Sequence, residues 1–476
     1  MRHALPCCLA FALAACDPSG AAAFRRAPLP STHDWTTFNH DVSRSGVSAD
    51  PTGITAANVG SMQRQQVHLE GTVDASAIYL HAATIGGSPH NAFFVTTTYG
   101  KTIAIDADDG VVLWTYTPQG YASWDRTRRV TTATPVADEN RRFVYAASPD
   151  GHVQKLDVAD GHAVWSTAIT LLPEREKIAS PLSFFKGRIV SVTGGYIGDA
   201  PPYQGHVAIL DASSGRVEHV WNSLCSDRAG LIEPKSCAES GSAIWGRAGA
   251  VIDPATGNIF VATGNAKWDG RTSWGDAVIE LDPDATRILG NYTPSNTDAL
   301  NERDADLGST SPALMGGNLL AQGGKDNVIR LIDIQENGGS SPHRGSELQA
   351  TPTPSSRNLF TAPAVMHANG ATWLFASDNG GTAAWILKDG RLAQQWKNEN
   401  AGTSPVVAGG LLFVYNPRGG LHVYEPQTGR AVAMLECGNG HWNSPIVVDG
   451  RIALPEGNSN TDRSGGGVLD IWRLPG

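Results

Sequence analysis

The stretch FVYAASPDGHVQKLDVADGHAVW, residues 143–165, contains two consecutive hairpin signals. An apolar run at 143–147 meets a Ser-Pro-Asp-Gly turn at 148–151, and an alternating run then leads to an Asp-Gly turn at 160–161. Period-two alternation interrupted by Asp-Gly pairs is typical of antiparallel strands, because Asp and Gly adopt the backbone conformations of tight turns. The stretch therefore predicts short paired strands that end on Trp165.

Related phrases recur along the chain. Each has an apolar alternating run, and most continue to a turn and a further run that often ends in Trp; they occupy 93–114, 205–221, 276–289, 327–334, 382–396 and 419–435. A small residue followed by Pro precedes most copies, at Pro135, Pro181, Pro312, Pro363, Pro405 and Pro445. Apart from one wider gap that holds two insertion-rich copies, the spacing is about 40 to 50 residues, which is typical of a β-propeller.

Eight copies can be counted, near 72–116, 132–167, 178–221, 246–290, 310–345, 360–397, 403–435 and 443–475. The last copy lacks a clear fourth strand, and residues 62–69 can supply it and join the two ends of the chain. We expect an all-β fold, an eight-bladed β-propeller of four-stranded antiparallel sheets over residues 34–476. A single four-stranded sheet cannot bury both faces, so the blades must stack in a ring.

Composition agrees with this fold and limits the partners. Gly accounts for 53 of 476 residues and charged residues for 17%, which favours many turns over long helices. The formal net charge of −10 provides no general attraction to nucleic acid or anionic lipid.

The first residues predict export. The apolar run at 4–15 is too short to span a bilayer, so residues 1–15 fit a signal peptide. The run Leu-Ala-Ala-Cys ending at Cys16 resembles the bacterial lipobox, which implies cleavage and lipidation there; ordinary secretory cleavage near 21–23 is the alternative. Residues 16–33 then form a flexible tether. The expected location is periplasmic, anchored to a bacterial membrane by lipid, or secreted.

The remaining cysteines have separate expected roles. Cys225 and Cys237 flank a loop, and we expect them to form a disulfide in an exported protein. Cys437 is expected to be a buried small residue rather than a nucleophile. The sequence contains no Cys-x-x-Cys-His haem-attachment run, so electrons in any redox reaction would need an external acceptor.

The repeated phrase resembles the pyrroloquinoline-quinone-type repeat of the quinoprotein alcohol dehydrogenase-like superfamily, over essentially residues 72–475. The resemblance implies that the tryptophans ending the phrases dock on the next blade; these are Trp114, Trp165, Trp221 and Trp396. Within the repeats, the aspartates that end the alternating run are expected to be turn residues; these are Asp157, Asp211 and Asp282.

Four stretches are similar to site-bearing runs of quinoprotein alcohol dehydrogenases. The run at 241–270 implies that Trp245 stacks on the quinone and that Asn265 binds the metal. The run at 291–312 places the catalytic carboxylate on Asp306, which is also a metal-ligand candidate, with Asp304 as the neighbouring candidate.

Two further stretches carry cations. The run at 323–333 implies that Lys325 hydrogen-bonds the quinone oxygen, and the run at 123–130 places the quinone-carboxylate arginine on Arg129. The implied cofactors are pyrroloquinoline quinone and Ca²⁺ or a lanthanide. In that chemistry an aromatic platform and cations hold the quinone, a hard cation polarises it, and a carboxylate takes the alcohol proton as hydride leaves.

The chain departs from the pattern at two places. Ser123 and Trp124 occupy the positions of the family's vicinal disulfide. The stretch at 194–198 has Tyr196 where the family has a metal-binding Glu, and Asp199 is the nearby candidate replacement.

Structural interpretations of the same residues remain open. Trp245 fits an inter-blade aromatic, Asn265 a turn, Asp304 and Asp306 turn or capping carboxylates, and Lys325 and Arg129 structural cations. The stretch HWNSP at 441–445 can also line the axis.

Three functions follow from these alternatives. The first is a quinone-dependent oxidoreductase of small or polymeric alcohols. The second is a non-catalytic lipoprotein scaffold of the outer-membrane assembly type, which would bind protein partners through its loops. The third is polysaccharide binding in the periplasm.

Overall fold

A computed structural model describes residue 1 and residues 33–336, 339–463 and 465–475. The described part contains eight four-stranded antiparallel sheets arranged as the blades of a propeller, so the predicted fold class is confirmed. The predicted signal peptide, Cys16 and the tether lie outside the described residues, apart from residues 1 and 33.

The strands are numbered in chain order, and β1 (Gln63–Leu69) belongs to the last blade. The first blade contains β2 (Ile78–Ile85), β3 (Ser88–Thr96), β4 (Thr102–Asp106) and β5 (Val112–Tyr116). The second contains β6 (Val136–Ala137), β7 (Phe143–Ala147), β8 (His152–Asp157) and β9 (Ala163–Ala168). Next, β10 (Glu176–Lys177) pairs outside the blades with β13 (Gly194–Gly195), and the third blade contains β11 (Ser183–Phe185), β12 (Arg188–Val192), β14 (His206–Asp211) and β15 (Val217–Asn222).

The fourth blade contains β16 (Val251–Ile252), β17 (Ile259–Ala262), β18 (Val278–Leu281) and β19 (Ile288–Tyr292). The fifth contains β20 (Ala313–Gly316), β21 (Leu319–Gln322), β22 (Val328–Asp333) and β23 (Gln349–Pro352). The sixth contains β24 (Ala364–Ala368), β25 (Ala371–Ser377), β26 (Thr382–Lys388) and β27 (Arg391–Asn398). The seventh contains β28 (Val406–Ala408), β29 (Leu411–Tyr415), β30 (Leu421–Tyr424) and β31 (Ala431–Leu435). The eighth contains β32 (Ile446–Val448), β33 (Arg451–Glu456), β34 (Gly467–Arg473) and β1.

The helical elements that lie wholly within the described residues are short connections. They are the α-helix α1 (Thr297–Glu302) and the 3-10 turns Val59–Ser61, Tyr121–Ser123, Pro234–Ser236 and Leu307–Ser309. Within the described ranges, none of the helices has the length and apolar character needed to cross a membrane.

The ring closes between the two ends of the propeller. Strand β1 lies antiparallel to β34, with Gln63 opposite Arg473 and Leu69 opposite Gly467. This confirms the prediction that residues 62–69 supply the fourth strand of the last blade. Hydrogen bonding along β1 therefore holds the first blade to the last.

The tryptophans of the repeat dock on the following blade, as expected. Their indole nitrogens donate to backbone carbonyls there: Trp114 to Val158 (2.9 Å), Trp165 to Ala212 (3.3 Å) and Trp396 to Pro426 (2.8 Å). Trp221 is buried in the apolar cluster shared by the third and fourth blades. The turn aspartates are also confirmed, since carboxylates accept from nearby backbone amides at Asp157 (Ala159), Asp211 (Ser214) and Asp282 (Thr286).

Residues 34–48 cross one face of the ring. Backbone amides in three different blades donate to their carbonyls: Ala137 to Thr36 (2.9 Å), Ile252 to Val42 (2.8 Å) and Val365 to Ser45 (2.8 Å). Because the acceptors belong to one continuous segment, it ties non-adjacent blades together. No repeat or periodicity marks this segment, and the sequence did not predict its path.

The cysteines are placed as expected. Cys225 and Cys237 form a disulfide. Cys437 is a free thiol that packs, partly buried, against the largest apolar cluster, and burial raises the pKa of its thiol to about 12. A thiol of this kind is a poor nucleophile at neutral pH.

The docking of tryptophans on turn glycines predicts a position-specific cost. A Cβ at Gly161 would lie 2.6 Å from the Trp114 ring, whereas Gly390 has a similar backbone (φ 70° against 75°) and open space around it. We expect Gly390→Ala to lower the free energy of unfolding by about 1 kcal/mol through backbone strain. Gly161→Ala should lower it by a further ~1–3 kcal/mol through overpacking. Urea unfolding of the two variants measures both; equal losses would show that the Trp114 contact is not tight.

Candidate axial site

The segments that precede the first strands of several blades converge on the propeller axis. First strands of neighbouring blades contact one another, so each blade places this segment at the centre of the ring. They enclose a cavity of about 400 Å³, whose lining includes Thr132, Ala179, Arg247, Phe360 and Trp442. The expectation that HWNSP lines the axis is confirmed for its Trp.

Three aromatic rings form one wall of this cavity. Trp442 stacks on Phe360 with centroids 5.4 Å apart and an interplanar angle of 20°. Trp245 lies 5.8 Å from Trp442 and 6.3 Å from Phe360. The wall therefore provides an apolar face for a planar ring.

The predicted acidic and cationic residues lie together beside Trp245. The Lys325 ammonium contacts the carboxylates of both Asp306 and Asp304, and lies 5.2 Å from the centre of the Trp245 ring. Although burial opposes its charge, the two carboxylates raise the pKa of Lys325 above its ordinary value. The ammonium therefore stays protonated at neutral pH.

Asn265 links this group to the fourth blade. Its backbone amide donates to Asp306 Oδ1 (2.7 Å), and its side-chain amide donates to Asp304 Oδ1 (2.7 Å). Its own Oδ1 is buried and has no hydrogen-bond partner in the described part of the chain. The approach is close because Gly264 has no side chain: a Cβ there would collide with Asp306.

Two of the predicted residues, Asn265 and Arg129, are not part of the cavity lining. Asn265 contacts Asp304 and Asp306, which do line the cavity, whereas Arg129 contacts neither of them. Arg129 is held by other groups. Its guanidinium donates to Pro149 O (3.2 Å) and lies 3.7 Å from Glu174 and 5.8 Å from the Trp124 ring. Tyr196, in the position of the family's metal-binding Glu, lines the cavity, and its hydroxyl donates to Pro173 O (3.0 Å).

Asp199 also lines the cavity. It accepts a hydrogen bond from the Tyr203 hydroxyl (3.1 Å). Desolvation, with a smaller repulsion from Asp306 and Asp304, raises the pKa of Asp199.

The sequence did not single out a buried charged residue of the cavity lining, Arg247. Arg247 donates from Nε to Trp442 O (3.1 Å) and from its terminal nitrogens to Thr132 O (3.3 Å) and Asp74 O (2.8 Å). Its guanidinium also lies 3.7 Å from Asp74 Oδ1. Asp74 Oδ2 accepts from Ser459 and pairs with His441 Nδ1 (2.8 Å). A pairing across 367 residues could be predicted only from the closed ring.

The cavity lining combines aromatic faces with cations and carboxylates. Among the described residues, no three or more His, Cys, Asp or Glu side chains form a cluster suited to a metal ion. A Ca²⁺ ion needs six to eight oxygens. Asn265 Oδ1 is a free acceptor, but Asp304 and Asp306 are already bonded to Lys325.

Eight four-stranded blades around an aromatic and charged axial cavity define a β-propeller with a central cavity. The family model described as outer membrane protein assembly factor BamB matches residues 46–228. The quinohemoprotein alcohol dehydrogenase of Comamonas testosteroni is 25% identical over 354 residues, which are 66% of this chain and 45% of that protein. Its crystal structure superposes with a TM-score of 0.67 at 18% identity, covering 93% of this chain and 81% of that one.

Two further proteins are similar. A polyvinylalcohol dehydrogenase from a Pseudomonas species is 22% identical over 275 residues, or 55% of this chain and 40% of that protein. BamB from Moraxella catarrhalis superposes with a TM-score of 0.52 at 14% identity, covering 86% of this chain and 98% of that one. The chain spans less than half the length of the two dehydrogenases that it matches in sequence. The chain is a β-propeller whose repeats are similar to the pyrroloquinoline-quinone-type repeats of BamB and of quinoprotein alcohol dehydrogenases.

The buried Asp74 group predicts a pH-dependent loss of stability. Burial opposes ionisation of Asp74, but His441 and Arg247 hold the pKa of its carboxyl below the usual range. Its stabilising effect is therefore complete above the unfolded-state pKa of about 3.9 and declines as the pH falls through the lower folded-state pKa. We expect Asp74→Asn to lower the free energy of unfolding by about 3 kcal/mol at pH 7, since it leaves Arg247 without a buried counter-charge.

Urea unfolding of wild type and Asp74→Asn from pH 7 to pH 3 measures this effect. The difference between the two proteins should shrink below about pH 4. A difference that stays constant would mean that the Asp74 carboxylate is not ionised in the folded protein.

Proposed function

We propose that the axial cavity binds pyrroloquinoline quinone and that the protein is a quinone-dependent oxidoreductase of alcohols. One observation carries the proposal: Trp245, Asp306 and Lys325, distant in the chain, meet at one wall of one cavity. A scaffold that binds partners through its outer loops has no need of this arrangement.

Each of these residues has a part in such a reaction. When bound, the quinone accepts hydride equivalents from the alcohol carbon. The Asp306 carboxylate accepts the hydroxyl proton of the alcohol, and its orientation is fixed by the Asn265 amide and by Lys325. Trp245 provides the stacking face, and the Lys325 ammonium beside it donates hydrogen bonds to an oxygen of the ligand.

The metal prediction concerns Asn265 and Asp306. Ca²⁺ or a lanthanide at this place would take Asn265 Oδ1 and further oxygens from bound quinone and water, because Tyr196 provides no carboxylate. No step of the proposed reaction depends on such an ion.

The proposed substrate is a small or polymeric alcohol, and the proposed acceptor is an external protein or dye. Similarity to a polyvinylalcohol dehydrogenase supports the polymeric alternative. The chain itself contains no haem-attachment run. We further propose export, with lipid attachment at Cys16, on the strength of the run Leu-Ala-Ala-Cys.

A second candidate is a non-catalytic scaffold for protein partners. The match of residues 46–228 to the BamB model favours it, as does the absence of a Glu at position 196. In that case the axial cavity would be unrelated to partner binding, which would use the loops between blades.

Reconstitution tests the enzyme proposal. Purified protein is titrated with pyrroloquinoline quinone, with Ca²⁺, a lanthanide or a chelator, and dye reduction is measured with primary, secondary and polymeric alcohols. We expect Asp306→Asn to bind the quinone but to lower kcat by about 10²–10⁴-fold, because the proton acceptor is lost. Asp304→Asn is the matched control, because the Asp304 carboxylate also contacts Lys325 but is exposed. We expect the Asp304→Asn variant to retain most of the activity.

The outcomes separate the two candidates. Quinone binding with alcohol-dependent dye reduction supports the enzyme. If Asp304→Asn lowers kcat in this way and Asp306→Asn does not, Asp304 is the proton acceptor. No quinone uptake at micromolar concentration under any metal condition would rule the enzyme out and leave the scaffold.

A further inference from the structure

The charged residues that line the axial cavity include two separate groups. In the first group, the carboxylates of Asp304 and Asp306 both contact the Lys325 ammonium. Lys177 and Arg247 are the other cations of the cavity lining. Arg247 is 2% exposed, and the backbone carbonyls of three blades fix its guanidinium. We call these two cations, Lys177 and Arg247, the cationic end of the cavity.

Lys177 is an ammonium without a counter-ion. It lies on β10, which pairs with β13 immediately before Tyr196. Throughout the part of the chain that the structure describes, its Nζ forms neither a hydrogen bond nor an ion pair, although it is partly buried and lines the cavity. Burial lowers the pKa of Lys177 to about 8, with Asp74 opposing the shift and Arg247 adding to it.

Asp74 cannot serve as the missing partner. Its carboxylate already binds His441 and Ser459 and lies 3.7 Å from the Arg247 guanidinium. The two positive charges of the cationic end therefore outnumber the single negative charge of Asp74. A partly buried charge without a partner is costly, and an anionic ligand would remove that cost.

We propose that Lys177, supported by Arg247, is a carboxylate-binding subsite of the axial cavity, so that the ligand carries a carboxylate on a planar ring that the aromatic wall contacts. The inference rests on the proposed function for the identity of that ring. It assigns to Lys177 the role that the sequence resemblance predicts for Arg129. Arg129 is directed instead to Pro149 and Glu174, outside the cavity lining.

The test compares charge removal on the protein with charge removal on the ligand. Quenching of tryptophan fluorescence measures binding of pyrroloquinoline quinone and of its trimethyl ester to wild type, Lys177→Met, Lys177→Arg and Arg129→Met. We expect Lys177→Met to weaken binding of the quinone by about 10- to 100-fold, as for loss of a hydrogen bond to a charged group. Lys177→Arg should restore most of the affinity, and Arg129→Met should have little effect.

The ester makes the assignment specific to a carboxylate. Wild type should bind the ester more weakly than the acid, whereas Lys177→Met should show a smaller difference between the two. Without ligand, Lys177→Met should unfold at the same urea concentration as wild type or higher, because it removes a partly buried charge that has no partner. A purely structural role for Lys177 predicts that Lys177→Met unfolds at a lower urea concentration than wild type.

Benzene-1,3,5-tricarboxylate separates this inference from the proposed function. If it binds in a Lys177-dependent way and the quinone does not bind, the subsite stands and the proposed cofactor is wrong. If the quinone binds equally to wild type and Lys177→Met, or only Arg129→Met weakens it, the inference is overturned and the proposed function stands. Failure of both ligands to bind overturns both.

Discussion

The pairing of β1 with β34 is the constraint on which the axial site depends. Its hydrogen bonds run from Gln63–Arg473 to Leu69–Gly467 and are reinforced by the 2.7 Å ion pair of Arg64 with Asp470, whose side chain is buried. Only a closed ring places the first and last blades side by side, and the Asp74–His441 pair spans that boundary. Closure of the ring thus brings residues from repeats that are distant in the sequence together around one central axis.

A centre built in this way is necessarily polar. The segments before the first strands bring backbone carbonyls to the axis, and buried carbonyls need donors. Arg247 supplies three of them, to Thr132, Asp74 and Trp442. The arginine is therefore part of the ring's own hydrogen bonding, and its charge, together with that of Lys177, gives the cavity a cationic end before any ligand is bound.

The repeat determined what could be predicted. Its turns, its period and its terminal tryptophans are local features, and each blade, the closing strand and the docking of Trp114 on the next blade follow from them. The grouping of Trp245, Asp306 and Lys325 was accessible through resemblance. Lys177 was not, because its position depends on how the short β10–β13 sheet meets the axis. Residues 34–48 were missed because an irregular segment that crosses a face has no periodicity to detect.

The two positions at which the chain departs from the family pattern, Trp124 and Tyr196, lie together in the structure. Trp124, at the position of the vicinal disulfide, and Tyr196, at that of the metal-binding Glu, join Tyr99 and Val130 in a single apolar cluster. The Trp124 indole donates to Tyr99 O and the Tyr196 hydroxyl to Pro173 O, so neither side chain leaves an unsatisfied polar group. A Tyr at position 196 adds no negative charge to the cavity lining, which also contains the cations Lys177 and Arg247. The charge around these two cations is therefore compatible with an anionic ligand, as the proposed carboxylate subsite requires.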